Sequence, residues 1–302
     1  MPAEITFKRW YERGRHFQYR GQQIFYQTGG AAGEGPVLLL IHGFPTASWD
    51  WHHQWPRLCE RFARVIAPDM IGFGYSAKPR DYAYSMLDQA DLHEALLREL
   101  GVARYHILAH DYGDTVAQEL LARHNEGRAA QELLSVCFLN GGLFPETHHP
   151  RLIQKLLASP LGPLVSRMMN ERSFRKSFCA IFGKDTQPSF DEYSEFWGLI
   201  NYNEGSRIFH KLIGYMAERR LRRDRWVGAL LNARVPLRVI DGLVDPVSGA
   251  HMVARYRELV SNADVVELAG IGHYPQVEAP EAVLKAFLEF HDRLARKQPT
   301  SS

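Results

Sequence analysis

The run Tyr105-His106-Ile107-Leu108-Ala109 reads as a strand buried on both faces, and it breaks into Thr115-Val116-Ala117-Gln118-Glu119-Leu120-Leu121, which has helical periodicity. A strand apolar on both sides belongs to a parallel sheet covered by helices, which argues against an all-α or all-β fold. Between the two elements, His110-Asp111-Tyr112-Gly113 must form a tight strand-to-helix turn. Ala109 and Gly113 supply the small neighbours such a turn needs two positions before and after its apex. The apex is Asp111, in the seat where a nucleophile elbow usually carries serine.

The same buried-strand pattern recurs at Val37-Leu38-Leu39-Leu40-Ile41, at Arg64 to Asp69, at Ser135 to Asn140, at Leu237 to Asp241 and at Val265 to Leu268. Helical periodicity fills Met86 to Leu100, Thr115 to His124, Ala250 to Leu259 and Pro280 to Leu294. Alternation of this kind predicts an α/β fold with an open, mostly parallel sheet, preceded by a hairpin around Gly21. One gap breaks it. From Gly142 to about Asn232 there is no convincing strand, only helix-like stretches rich in Leu, Met, Phe and Arg, far too long for an ordinary connection. The expected organisation is a core of residues 1–143 and 226–302 with a helical cap, residues 144–225, inserted over the strand ends.

Composition narrows the function classes. The 302 residues carry 36 basic and 34 acidic side chains, a net charge of +2, which gives no footprint for nucleic acid. No window approaches the roughly 20 apolar residues that span a bilayer, and the N-terminal stretch has no apolar signal core. A cytoplasmic location, as monomer or homodimer, is the expectation. Cys59, Cys137 and Cys179 are odd in number and widely spaced, so reduced buried thiols are expected and no disulfide framework. The tail from Lys297 to Ser302 is polar and expected to fray.

A carboxylate nucleophile selects the chemistry. Aspartate with an ordinary pKa of about 4 is ionised at neutral pH and needs no base to attack. Attack on an ester would give only an anhydride, so the productive target is an sp3 carbon bearing a leaving group, as in an epoxide or a carbon–halogen bond. The product is an alkyl ester on Asp111 that an activated water must then hydrolyse. The plain alternative is a buried Asp that caps the following helix.

Three other loops follow strands. His42-Gly43-Phe44-Pro45 places Phe44 where its N–H can join that of Tyr112, the residue after the nucleophile, in an oxyanion hole built from backbone. Gly242-Leu243-Val244-Asp245-Pro246 and Gly270-Ile271-Gly272-His273 each offer one titratable residue at a strand's C-terminal end. The order Asp111, Asp245, His273 is nucleophile, acid, histidine. His273 is expected to activate the water, with Asp245 orienting its ring; Asp241, still within its strand, ranks below Asp245.

Together with Pro68-Asp69-Met70-Ile71-Gly72-Phe73-Gly74-Tyr75-Ser76, these motifs resemble the epoxide hydrolase and haloalkane dehalogenase branch of the α/β hydrolases, over nearly the whole chain from Phe17 to Leu294. The resemblance implies an α/β-hydrolase fold with a helical cap, no cofactor and no metal, and a small apolar substrate with an electrophilic sp3 carbon. Haloalkane dehalogenases hold the halide with N–H donors from a Trp after the nucleophile and from an Asn at the Phe44 position or a second Trp. This chain has Tyr112 and Phe44 there, leaving Trp197 as a candidate donor. Epoxide hydrolases protonate the opening ring with cap tyrosines, and the resemblance puts Tyr215 in one such place; Tyr193 or Tyr202 would replace the second. The expected reaction is therefore epoxide hydrolysis to a vicinal diol, with dehalogenation or a binding protein of this fold as alternatives.

Three features stand outside that scheme. Asp114 is read as an acid that favours the helix dipole from the first turn, with coupling to Asp111 as the alternative. The basic run Arg219 to Arg225 reads as a solvated helix face rather than a lipid or protein site. His148-His149 has no further ligands at metal spacing and reads as a plain loop.

Overall fold

The computed structural model describes residues 5–31, 33 and 35–297. The amino-terminal part runs α1 (Phe7–Arg13), β1 (Arg15–Tyr19), β2 (Gln22–Gly29), β3 (Val37–Ile41), α2 (Trp55–Arg61), β4 (Arg64–Pro68), α3 (Met86–Glu99), β5 (Arg104–His110), α4 (Tyr112–Asn125) and β6 (Glu132–Leu139). Seven helices follow: α5 (Leu152–Leu157), α6 (Gly162–Met168), α7 (Glu171–Cys179), α8 (Phe190–Asn201), α9 (Phe209–Leu212), α10 (Tyr215–Leu221) and α11 (Arg223–Leu231). The chain closes with β7 (Leu237–Gly242), α12 (Ala250–Leu259), β8 (Val265–Leu268), α13 (Pro275–Glu278) and α14 (Pro280–Lys297).

The strands form one sheet in the order β1-β2-β4-β3-β5-β6-β7-β8. From β4 to β8 all neighbours are parallel, whereas at one edge both the β1–β2 and the β2–β4 pairings are antiparallel. The hairpin turns at Arg20 and Gly21, both at positive φ. β3 and β5 lie at the centre, and Leu38 to Ile41 and Ile107 to Ala109 are almost wholly enclosed. Helices on both faces account for this burial without any alternation of polar residues.

Outside the long gap three helices exceed the expected set, α1, α2 and the single turn α13. α1 buries only Trp10, whose indole donates to Ser48 Oγ at 3.0 Å, so its sequence shows no apolar stripe. α2 carries Pro56 in its first turn, where a missing N–H costs nothing. The long gap between β6 and β7 holds α5–α11, and α11 returns to the sheet. It packs on α4 through Trp226, whose indole donates to Glu119 Oε2 at 2.9 Å.

All three cysteines are free; Cys137 is buried, whereas Cys59 and Cys179 are half-buried. The tail residues 298–302 lie outside the described residues.

Candidate active site

β5 delivers Asp111 to the C-terminal edge of the sheet with φ 47° and ψ −104°, a left-handed conformation that a non-glycine residue adopts at a cost of about 1–3 kcal/mol. The turn is held by close packing. A Cβ on Gly113 would lie 2.5 Å from the Ile41 carbonyl oxygen, and one on Gly43 would lie 2.5 Å from His110 Nδ1. The Asp111 side chain makes no capping bond to α4, which removes the reading of a helix cap. Instead its Oδ2 accepts from the Phe44 N–H at 3.1 Å. Tyr112, the first residue of α4, brings its own backbone N–H to the same helix start.

On the far side stands His273, on the loop after β8. Its Nε2 is 4.0 Å from Asp111 Oδ2, and its Nδ1 meets Asp245 Oδ2 at 2.7 Å. Asp245 is held from several directions. It also accepts from the Val247 N–H at 2.7 Å, the Ser248 N–H at 3.1 Å and the Asn140 amide at 3.1 Å. Burial alone would raise its pKa, but the His273 charge and these donors outweigh it and hold Asp245 below the usual carboxylate value. For His273 burial pulls down, while Asp245, Asp111 and Glu278 push up more strongly, to about 9. Asp241 has both carboxylate oxygens buried without a partner, and burial with the Asp245 charge lifts its pKa well above the ordinary value. Asp245 is the carboxylate on His273.

The His273 loop is anchored by groups that sequence reasoning missed. Its backbone N–H donates to Ile181 O at 2.8 Å and its carbonyl meets His110 Nε2 at 2.7 Å. Burial drives the His110 pKa down to about 4, so the neutral ring donates through Nε2. Glu278 accepts from the N–H groups of Gly272, Tyr274 and Gly183 at 2.8, 3.0 and 2.7 Å.

Over Asp111 lies a cavity of about 70 Å³. Phe44, Ile153, Leu157, Phe174, Phe178 and Phe209 give it apolar walls, and Asp111 and His273 stand among its lining residues. A charged side chain facing an apolar hollow on a bent strand end, with backbone N–H and imidazole beside it, is the layout of a hydrolytic site. Residues 36–280 match the alpha/beta hydrolase fold family. The chain belongs to that family.

This α/β hydrolase is 43% identical to the human mesoderm-specific transcript homolog protein over 289 residues, 93% of this chain and 86% of that protein. Among solved structures, haloalkane dehalogenase DbeA from Bradyrhizobium elkani superposes with a TM-score of 0.77 at 22% identity, covering 94% of this chain and 99% of that one. The epoxide hydrolase CorEH gives 0.74 at 20% identity, covering 93% and 99%. At these identities the two structures speak to the fold.

The helices between β6 and β7 add further groups around the candidate site. Tyr215 is buried against the rings of Phe44 and Tyr112, and its hydroxyl accepts from Gln154 Nε2 at 3.4 Å. Burial and then the Asp111 charge raise its pKa, so it stays a proton donor. Neither suggested second tyrosine lines the cavity. The Tyr193 hydroxyl donates to the Glu171 carbonyl at 2.7 Å, and Tyr202 stacks edge-on against Tyr75 near the surface. Trp197 packs on Phe174 and, like Tyr215, is not among the residues lining the cavity, but Tyr215 stands against Phe44, which is.

The reading of the basic run as a solvated face is corrected at Arg219. That residue is 2% exposed; its Nη2 donates to the Asp111 carbonyl at 2.9 Å and lies 3.7 Å from Asp111 Oδ1, while Nε donates to Thr115 Oγ1 at 2.6 Å. Its guanidinium also covers the Tyr215 ring, 4.5 Å from the centroid. The signal was available: Arg219 falls four residues after Tyr215, on the same face of α10. Arg222, Arg223 and Arg225 pair with Glu218, Glu146 and Glu119. Asp114 also departs from expectation. It is fully buried, and burial followed by the Asp111 charge raises its pKa well above the ordinary carboxylate value, which opposes the charged form that the helix dipole would favour.

His148 is half-buried beside Arg219 with both ring nitrogens enclosed, and desolvation together with that cation lowers its pKa to about 3. His149 stacks on His251. Among the described residues, the trio whose donor atoms sit close enough for a metal ion is His52, His53 and Glu192, which shares no member with the site.

Proposed function

We propose that this α/β hydrolase cleaves epoxides to vicinal diols through an alkyl ester on Asp111. The observation that carries the reading is the Asp111 carboxylate, free of any capping bond, set at a cavity wall between the Phe44 N–H and His273 backed by Asp245.

In the first step an Asp111 oxygen bonds to a ring carbon, the carbon–oxygen bond breaks, and the departing oxygen keeps the electron pair. Tyr215 is the candidate donor of the proton that this alkoxide takes up. The apolar walls exclude water and keep the attacking carboxylate poorly solvated. In the second step water adds to the ester carbonyl carbon and His273 Nε2 takes its proton. The oxyanion is held by the backbone N–H groups of Phe44 and Tyr112; its collapse breaks the bond between the acyl carbon and the alkyl oxygen, which takes the proton from His273 and leaves as the diol, while the acid proton left on Asp111 returns to the Tyr215 phenolate and restores the carboxylate.

His273 at about 9 is protonated at rest, which on its own is the wrong state for a base. Esterification resolves this, because it removes the negative charge 4.0 Å from Nε2 and loosens the proton. The base is thus readied by the first step. Dehalogenation shares this scheme, yet no tryptophan lines the cavity among the described residues to receive a halide.

A single turnover in heavy-oxygen water tests the ester. The label must enter the Asp111 peptide while the first diol carries ordinary oxygen; label appearing directly in the first product would mean that water attacks without a covalent stage.

A further inference from the structure

The outer surface of α5 and α6 is aliphatic where a soluble surface is ordinarily polar. Leu152 and Leu156 on α5 are 73% and 37% exposed, and Leu164 and Met168 on α6 are 55% and 69% exposed. Each pair is spaced by four residues, so each helix turns one apolar stripe outward, and Leu161, 60% exposed, extends the second. Between the stripes runs a groove of about 520 Å³, floored by Ile153, Val165 and Met169. It adjoins the cavity over Asp111, with which it shares Arg151, Ile153, Met169, Phe174 and Ser177.

The rim is cationic. Residues 151–180 contain Arg151, Lys155, Arg167, Arg172, Arg175 and Lys176, all exposed, against a single acid, Glu171. Among the described residues none of the six has a carboxylate partner, whereas Arg219, Arg222, Arg223 and Arg225 all do. Of the six, Arg151 and Lys176 line the groove beside the aliphatic ridge, and the Arg175 guanidinium lies over the rings of Phe190 and Tyr193.

We infer that this face docks on an anionic phospholipid bilayer, with the Leu and Met side chains in the headgroup–acyl boundary and the exposed cations beside them, Arg151 and Lys176 among them, over the headgroups. Aliphatic ridges rimmed by Lys and Arg are what an interfacial helix presents, while protein interfaces centre on buried aromatic anchors. A second copy of the chain fits poorly, since a two-fold contact would bring the same cations face to face. Docking this way turns the groove toward the lipid, the source from which an apolar substrate reaches the cavity.

Flotation of the full chain with vesicles tests the docking, and it needs no turnover, so its outcome is independent of the Asp111 chemistry. The protein should float with equimolar phosphatidylcholine–phosphatidylserine vesicles at low salt and stay behind with phosphatidylcholine alone. Arg172→Gln and Lys176→Gln should each weaken binding about five-fold, and Leu164→Ser with Met168→Ser should weaken it further without altering the melting temperature. Arg257→Gln, exposed but outside the face, should change nothing. Failure to float, equal losses from the control and the face variants, or a dimer that the Leu164 and Met168 changes abolish would each overturn the assignment.

Discussion

The proton on His273 offers the most direct test of how the site is built. Asp111→Asn removes a negative charge 4.0 Å from Nε2 while keeping the side chain's shape, so it mimics the electrostatics of the esterified enzyme. At an effective dielectric of about 20 that charge is worth about 4 kcal/mol to the imidazolium, or roughly a thousandfold in proton affinity. This is an upper bound, because Asp245 at 2.7 Å contributes more to the pKa of about 9 than Asp111 does. A histidine-labelled sample titrated by nitrogen NMR should show His273 of the Asp111→Asn protein losing its proton at distinctly lower pH than the wild type. The stability profile follows in sign. A pKa raised from 6.5 to about 9 contributes stability that is fully present below pH 6.5 and lost as pH rises through 9. That loss should shrink in the Asp111→Asn protein when urea unfolding is followed across this window. If both proteins titrate His273 alike, the reaction does not ready its own base, and the proposed second step lacks its proton acceptor.

Other outcomes follow from the same geometry. His273→Gln should leave alkylation intact and slow ester hydrolysis by about 10²–10⁴-fold, so that intact-protein mass spectrometry after substrate addition finds the adduct on Asp111. Tyr215→Phe keeps the ring packed against Phe44 and Tyr112 but removes the hydroxyl, and diol formation should fall by about 10²-fold or more; an unchanged rate would assign the proton to another donor. Arg219→Met removes a buried cation that bonds the Asp111 carbonyl and Thr115, and should cost about 3–5 kcal/mol in urea unfolding, whereas a stability equal to wild type would show that the guanidinium is dispensable.

Strands apolar on both faces were legible one by one, because burial from both sides leaves no other pattern. α1 was not, since one buried tryptophan in a helix of charged residues makes no stripe. The presence of an insertion was legible from the missing strands, but the direction of its side chains was not. Tyr193, Tyr202 and Arg219 all sit on helices whose facing is decided by packing between distant segments. Asp111, Asp245 and His273 could be read because glycine and proline mark the loops that carry them. Asn140 had a weaker signal, lying at the end of β6 level with those loops, where its amide bridges Gly242 and Asp245.

The insertion is more than a cover. From one side Arg219 grips the Asp111 backbone, and from the other Ile181 and Gly183 engage the His273 loop directly and through Glu278. The proposed nucleophile and the proposed base are therefore each tied to the same helical segment, by bonds to backbone atoms that side-chain changes in the sheet would not replace. A movement of α7 or α10 that widened the cavity for substrate would pull on both groups, and the 4.0 Å gap between Nε2 and Oδ2 would change with it. Entry of substrate and alignment of the reacting groups are on this account coupled mechanically, and a chain shortened between β6 and β7 would lose the bonds from Arg219, Ile181 and Gly183 that hold the alignment.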